Sequence, residues 1–396
     1  MKSILGSITP QQFLNEYWQK KPLLIRGAWP GFSSPITPDE LAGLACEENV
    51  DSRLVVEKDF ENPWQVVYGP LNPEVFPTLP KTHWTLLVTD VEKHLPEMAN
   101  IVDQFRFLPD WRADDLMVSY APEGGSVGPH WDNYDVFLLQ GLGHRHWQIS
   151  ELYVSDQNYI DGLDLRIMER FQVQQDWVLE PGDMLYLPPH IAHHGVAQDD
   201  CMTFSIGFRA PSVADMLSSY SDSRIEGLTE SNRYTDPDVA LQEFPGEIGS
   251  GALEDIQALL LKQFNQSPAQ FAQWFGCYST LPKSDMNEAP EQWIETFPEW
   301  LERFEQTGGV VKSTQSKFAF VRLDWNIEQS NQALLFVDGE SYDVPLRFAQ
   351  WLCGERTLAT LYVPAAQLST IETNTLLELY NLGCMCFCDE SLGDRE

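Results

Sequence analysis

The sequence predicts a mainly β N-terminal domain with flanking helices, then an α-helical segment, then a small mixed α/β C-terminal domain. Three observations carry this. Between residues 53 and 210, short apolar runs recur with Gly and Pro between them: "RLVVEKD", "WQVVYG", "DDLMVSYA", "DVFLLQG", "HRHWQIS", "DWVLEPGD", "MLYLPP" and "MTFSIGF". That spacing suits an antiparallel sandwich or barrel. After Arg209-Ala-Pro211 the apolar residues shift to i, i+3, i+4 spacing in "SVADMLSSYSDSRIEGL" and "GALEDIQALLLKQFNQ", the period of amphipathic helices. Beyond a polar, Pro-containing stretch at 280–292 the pattern is mixed. The expected domains are 1–211, 212–281 and 282–396, and 396 residues is a length for two or three domains.

The elements follow in order. "TPQQFLNEYWQKK" (9–21) reads as a helix, with Thr9 as N-cap and Pro10 at the first helical position. "KPLLIRGAW" gives a short strand, and "TPDELAGLACEE" repeats the Thr-Pro helix start with acids in its first turn. "GPHWDNYDVF" (128–137) reads as a strand carrying His130, Asp132, Tyr134 and Asp135, although strand interiors usually exclude Asp and Asn. Near the C-terminus, Asp338-Gly339 marks a hairpin turn, and "PLRFAQWLCG" and "NTLLELYNLG" read as helices ended by Gly. This tail is expected to be a small winged-helix-like unit. "CMCFC" puts Cys384, Cys386 and Cys388 at a period of two, one face of a strand, and they read as buried structural thiols rather than zinc ligands in C-x₂-C pairs.

Composition excludes some functions. Hydrophobic content of 43% with 12% aromatics supplies real cores. The first residues lack an apolar run after their lysine, and no stretch approaches the roughly 20 apolar residues of a membrane span. A soluble cytoplasmic protein is therefore expected. The net charge is −34, against nucleic-acid or anionic-lipid binding and in favour of a basic partner. Plain solubility, or adaptation to salt, is the alternative account of that charge. Residues 293–396 carry 7 basic and 16 acidic residues, a net −9, so direct nucleic-acid binding by the tail is not expected.

Six of the eight histidines fall between 130 and 194: His130, His144, His146, His190, His193 and His194. Residues i and i+2 of a strand share a face, so His130 and Asp132 point together. Imidazole plus carboxylate on one face is two thirds of a 2-His-1-carboxylate set, which leaves coordination positions open for oxygen chemistry. The third ligand would come from "EPGDMLYLPPHIAHHGVA", where His190, His193 and His194 precede the next strand. An unpaired Asp inside a sandwich costs several kcal/mol unless a cation or hydrogen bonds compensate it.

Taken together, "GPHWDNYDVFLLQGLGHRHW", "PGDMLYLPPHIAHHG" and "SIGFRAP", with "DSRLV", "LPDWRADDLMVSY" and "YTDPDV", resemble the JmjC subgroup of the cupin fold. More narrowly, they resemble the bacterial ribosomal oxygenases, 2-oxoglutarate-dependent arginyl hydroxylases of a large-subunit ribosomal protein. The likeness covers the first two thirds of the chain. It implies a double-stranded β-helix of JmjC/cupin type, Fe(II) held by His130, Asp132 and His193, and 2-oxoglutarate and O2 as co-substrates, with release of succinate and CO2. It further implies that Arg145 takes the distal carboxylate of 2-oxoglutarate, a role suited to a planar guanidinium, and that the Ser119 hydroxyl helps, beside His130. His190 and His194 lie outside the ligand position of the motif and are expected to line or flank the site.

Period-two alternation puts Asp115, Met117 and Ser119 on one face of "DDLMVSY". Asp115, Tyr134 and Ser205 would then hold an arginine side chain, with Met117 as an apolar wall; the competing reading of Asp115 is a solvated acid at a strand start. A ribosomal protein is a basic substrate, and a homodimer through the helical segment is expected. The rivals are a JmjC hydroxylase or demethylase acting on His, Asn or methyl-Lys, a metal-dependent cupin isomerase, and a non-enzymatic metal-binding cupin regulator.

Overall fold

In the computed structural model, Thr9 accepts from the Gln12 N–H and starts α1 (Pro10–Glu16). The model describes residues 4–57, 64–152, 158–241, 243–283, 289–323 and 331–390. Two units emerge, Met1–Ala210 and Pro211–Glu396. In the first, α1 is followed by β1 (Leu23–Ile25), α2 (Pro38–Leu44), β2 (Ser52–Val56), β3 (Gln65–Tyr68), β4 (Trp84–Val88), α3 (Val91–His94) and α4 (Ala99–Val102). Then come β5 (Ala113–Ala121), β6 (Asp135–Leu142), β7 (Arg145–Ser150), β8 (Gln175–Leu179), β9 (Met184–Leu187), β10 (Ala192–Ala197) and β11 (Cys201–Phe208). At α2, Thr37 and Glu40 close a reciprocal capping box.

Eight strands form one antiparallel sheet in the order β1-β9-β6-β11-β5-β4-β2-β3, and a second sheet runs β10-β7-β8. Alternation sorts the large sheet into two faces. Leu116, Val118, Phe137, Leu139, Tyr186, Phe204 and Ile206 pack outward with Phe13 of α1, Leu41 of α2 and Val91 of α3. Each such buried side chain contributes roughly 1.5–3 kcal/mol. Val136, Leu138, Leu185 and Leu187 face the other way, onto Trp147, Ile149 and Leu179 of the small sheet. The site lies on this inner face.

The second unit holds α5 (Val213–Ile225), α6 (Ser250–Phe264), α7 (Pro268–Thr280), α8 (Phe297–Thr307), β12 (Val310–Lys312), β13 (Phe318–Arg322), β14 (Gln332–Val337), β15 (Glu340–Pro345), α9 (Leu346–Leu352), β16 (Thr357–Leu358), α10 (Thr370–Asn381) and β17 (Met385–Phe387). The strands make two three-stranded sheets, β16-β12-β17 and β13-β14-β15. Asp338 and Gly339 turn between β14 and β15 at φ 49° and 88°, the paired positive φ of a tight hairpin. No described helix is long and apolar enough to cross a membrane.

Several sequence expectations need correcting. The strand expected at 128–137 begins only at Asp135, and His130 stands before it in an isolated bridge with His193. His193 and His194, expected between strands, lie within β10. The first helix stops at Glu16 because the chain turns at Gln19, φ 55°, whose side chain is drawn to Asp135. Of the "CMCFC" thiols only Cys384 is buried; Met385 and Phe387 are the core residues of β17, and Cys386 and Cys388 are half-buried.

Candidate metal centre and adjoining pocket

His130 and His193 exchange two backbone hydrogen bonds, His130 N–H to His193 O at 3.0 Å and the reverse at 2.8 Å. This antiparallel bridge brings two segments 63 positions apart to one point, with ring centroids 4.2 Å apart. Each ring meets a backbone carbonyl at Nδ1: Gly128 O at 2.9 Å for His130 and Ile191 O at 3.0 Å for His193. A donating Nδ1–H leaves the Nε2 lone pair for a ligand bond, the usual way a metal-binding histidine has its tautomer fixed. The Asp132 carboxylate lies 4.0 Å from His130 Nε2 and 3.7 Å from His193 Nε2. One ligand atom from each of the three falls within 4.8 Å of the others. Burial, helped by repulsion from His130, pushes the His193 imidazole down to about 4, so it is a neutral donor at ordinary pH.

The neighbouring histidines serve other purposes. His190 is exposed, adopts a left-handed φ of 65°, meets the Trp131 ring at 5.0 Å in a tilted contact, and donates its backbone N–H to Asp132 O at 2.8 Å. It therefore steadies the loop that carries Asp132. His194 follows His193 in β10 and so projects to the other face, where its ring meets Phe171 at 6.1 Å. Its imidazole is also lowered to about 4, chiefly by burial. Asp135, the second acid of "WDNYD", turns away from the site. It accepts from Tyr186 Oη at 2.6 Å, Gln19 Nε2 at 2.9 Å and Arg112 Nη2 at 3.3 Å. Desolvation raises its carboxyl even so.

Register places Arg145 opposite Ala197, Trp147 opposite Gly195 and Ile149 opposite His193. All share the inward face of the small sheet. Arg145 is 4% exposed, and its Nε and Nη2 have no hydrogen-bond partner among the described residues. Its guanidinium lies 5.7 Å from the Trp147 ring. A Cβ at Gly195 would sit 2.7 Å from that ring, so only glycine lets Trp147 lie beside His193. A buried guanidinium with open donors is costly unless an anion completes it.

Across the interior, Asp115 pairs with Gly207, Met117 with Ser205 and Ser119 with Thr203. Ser205 also lies opposite Leu138, which puts the set on the face that meets Trp147 and Ile149. Ser119 is buried, and its hydroxyl donates to Thr203 O at 3.5 Å. Tyr134 sits in the loop before β6, 41% exposed. Its phenol is raised, first by desolvation and then by the carboxylates of Asp132 and Asp115, which places its hydroxyl in their field. Sequence reasoning missed Gly207, where a Cβ would fall 2.5 Å from Asp115 Oδ1. The signal was available: glycine inside a strand marks a close approach. It also missed Glu92 of α3, a buried carboxyl that accepts the Leu116 N–H at 2.9 Å.

Two imidazole nitrogens and one carboxylate oxygen gathered at one point can hold a divalent first-row metal and leave it open to other ligands. Comparisons with known proteins agree with that geometry. A JmjC domain model matches residues 100–216, which include all nine of the residues expected to form the site, and an AraC-like ligand binding domain model matches residues 170–270. The chain is 40% identical over 280 residues to the ribosomal protein uL16 3-hydroxylase of Escherichia coli (strain K12), spanning 71% of this chain and 74% of that protein. The solved structure described as "X-Ray structure of E. coli ycfD" superposes with a TM-score of 0.84 at 33% identity, over 96% of this chain and 98% of that one. A structure of YcfD, a ribosomal oxygenase from Escherichia coli, in complex with cobalt and 2-oxoglutarate gives 0.80 at 32% identity, with the same coverage.

Proposed function

Because the chain belongs to the JmjC-domain ribosomal oxygenases, we propose that it is an Fe(II)- and 2-oxoglutarate-dependent dioxygenase. Its substrate in this reading is an arginine side chain of a large-subunit ribosomal protein, hydroxylated with release of succinate and CO2. The observation that carries the reading is the pairing of an open His130/Asp132/His193 group with a buried guanidinium whose Nε and Nη2 are unpartnered. The first suits a metal that must keep free positions; the second suits a dicarboxylic co-substrate.

His130, Asp132 and His193 would hold iron, and Arg145 would take the distal carboxylate through its open Nε and Nη2. Ser119 would add a hydroxyl beside it. Bound iron would supply oxygen activation coupled to decarboxylation of the keto acid. Asp115 would clamp the substrate guanidinium, with Gly207 leaving room for that carboxylate. Tyr134 and Ser205 would offer hydroxyls, and Met117 an apolar wall. The buried surroundings of His193 and Arg145 keep bulk water from the reacting end.

We further infer a three-part organisation, with a helical segment at 212–281 that forms a homodimer and a winged-helix-like unit at 282–396. α6 has no buried residue, yet Leu253, Leu260 and Leu261 are more than half exposed, an apolar surface suited to a second copy. The acidic charge supports a basic protein partner reached without direct nucleic-acid contact, in the cytoplasm where ribosomal proteins are made.

Anaerobic addition of Fe(II) and 2-oxoglutarate is expected to give a visible charge-transfer band that Asp132→Ala and Arg145→Met each abolish or weaken. Under turnover, a uL16 homologue is expected to gain one oxygen on an arginine. Oxygen on histidine instead would favour the rival hydroxylase, and no band at all would remove the oxygenase reading.

A further inference from the structure

In the C-terminal unit an indole stands in solvent on a fixed backbone. Trp293 is 64% exposed and makes no ring contact among the described residues, while the next residue, Ile294, is 2% exposed. Asn381 of α10 holds Ile294 at both ends of its peptide, donating Nδ2 to Ile294 O at 2.8 Å and accepting from Ile294 N–H at 3.1 Å. The Asn381 side chain is itself buried. Trp293 is therefore positioned by a two-point clasp rather than by burial of its own ring.

Beside it lies a recess of about 270 Å³ lined by Trp293, Asn374, Leu377, Glu378, Asn381 and Leu382. Asn374 and Glu378 are one helical turn apart and share a face of α10. Tyr342 donates its hydroxyl to Glu378 Oε1 at 3.3 Å, which fixes the carboxylate, and no lysine or arginine pairs with Glu378 among the described residues. An aromatic face, a held carboxylate, an amide and apolar walls form a receptor for an ammonium or guanidinium on an aliphatic stem. The volume is below that of a drug-sized pocket and is right for one side chain. Charge selects the occupant: residues 293–396 carry net −9 and the chain −34, so a basic segment is drawn in and an acidic one repelled.

We propose that this recess is a docking site for an arginine or lysine side chain in a basic segment of a protein partner. Resting on the ribosomal-protein reading above, that partner is the substrate, held by a segment other than the one modified. The site gives the C-terminal unit a use in substrate capture.

The test uses the full-length protein and an acetylated, amidated peptide of alternating Gly and Arg, titrated by calorimetry at low salt. Trp293→Ala is expected to weaken binding by about threefold to 30-fold, and Glu378→Gln to weaken it and flatten its salt dependence. Both substituted residues are exposed, and circular dichroism checks that each variant is folded. With an intact ribosomal protein as substrate, Trp293→Ala should raise KM several-fold at constant kcat, while KM for a short peptide around the modified residue stays put. Equal peptide binding by wild type and Trp293→Ala, or an unchanged KM for the intact protein, overturns the proposal. If no ribosomal protein is turned over but peptide binding still depends on Trp293, the functional reading fails and the cation site stands.

Discussion

The first unit holds a half-buried arginine and a buried one, and treats them oppositely. Arg112 is fully employed: Nε donates to Arg209 O at 2.6 Å, Nη2 meets Asp135 at 3.3 Å, and the guanidinium lies over Trp18 and Trp111 at 5.4 and 5.6 Å. Asp135 is in turn satisfied by Tyr186 and Gln19. Arg145 is more deeply buried, yet its Nε and Nη2 have no hydrogen-bond partner among the described residues. Both carry one charge, and the deeper Arg145 loses more of its hydration. The fold completes the first with its own carboxylate; in the proposed function an anion from outside completes the second. The same division separates Asp135, closed in by donors, from Asp132, which faces two imidazole lone pairs. Under the proposed function, structural charges are matched within the chain and the functional ones are left one partner short.

The comparison breaks most visibly at the metal. Loss of a hydrogen bond behind a metal ligand costs roughly 10–100-fold, so Asp132→Ala, which removes a ligand, should cut metal affinity and turnover by well over ~100-fold. Metal content and turnover measured on the same preparation check this, and the melting temperature should hardly move. Next comes the closed network. Arg112→Met removes one of three donors from Asp135 and the bond to Arg209 O, and should destabilise the protein by roughly 1.5–3 kcal/mol, read from the denaturation midpoint. Arg145→Met is the converse. It removes an unpaired buried cation, so stability should hold or rise, while 2-oxoglutarate affinity should fall by about 10- to 100-fold. An Arg145→Met protein as unstable as Arg112→Met would show that both arginines are structural.

How much of this was legible in the sequence follows the same line. Period-two alternation was enough to group Asp115, Met117 and Ser119, because β5 is long and regular. Thr9-Pro10 and Thr37-Pro38 announced α1 and α2, since a cap is local chemistry. The loop at 129–134 was read as strand because Trp131 and Tyr134 suit one. Its real conformation is set by contacts distant in sequence: the bridge from His130 to His193 and the His190 N–H on Asp132. β4 escaped notice because it is short and held by tertiary packing, whereas α7 and α8 had local signals in Ser267-Pro268 and in Pro298 with Gly308 that were legible but not used. The role of Asp135 was invisible because its three partners come from three separate segments, at 19, 112 and 186.

Glu92 sharpens the comparison by the smallest amount, as a buried charge that the fold satisfies only in part. β4 pairs with β5 as far as Val118, and where that ladder ends the Glu92 carboxyl takes over by accepting the Leu116 N–H. Burial, with Asp90 and Asp115 nearby, pushes its carboxyl up to about 8 from 4.5. The native state therefore keeps it protonated at pH values where the unfolded chain ionises. Its stabilising contribution is complete below about 4.5, declines as pH rises, and is gone above about 8. Glu92→Gln keeps an acceptor for Leu116 and cannot ionise. Relative to wild type it should gain stability between pH 5 and pH 8, measured by urea denaturation at the two values. An equal difference at both would mean that Glu92 is ionised in the native state, and that β5 tolerates a second charge beside Asp115 with no cost at all.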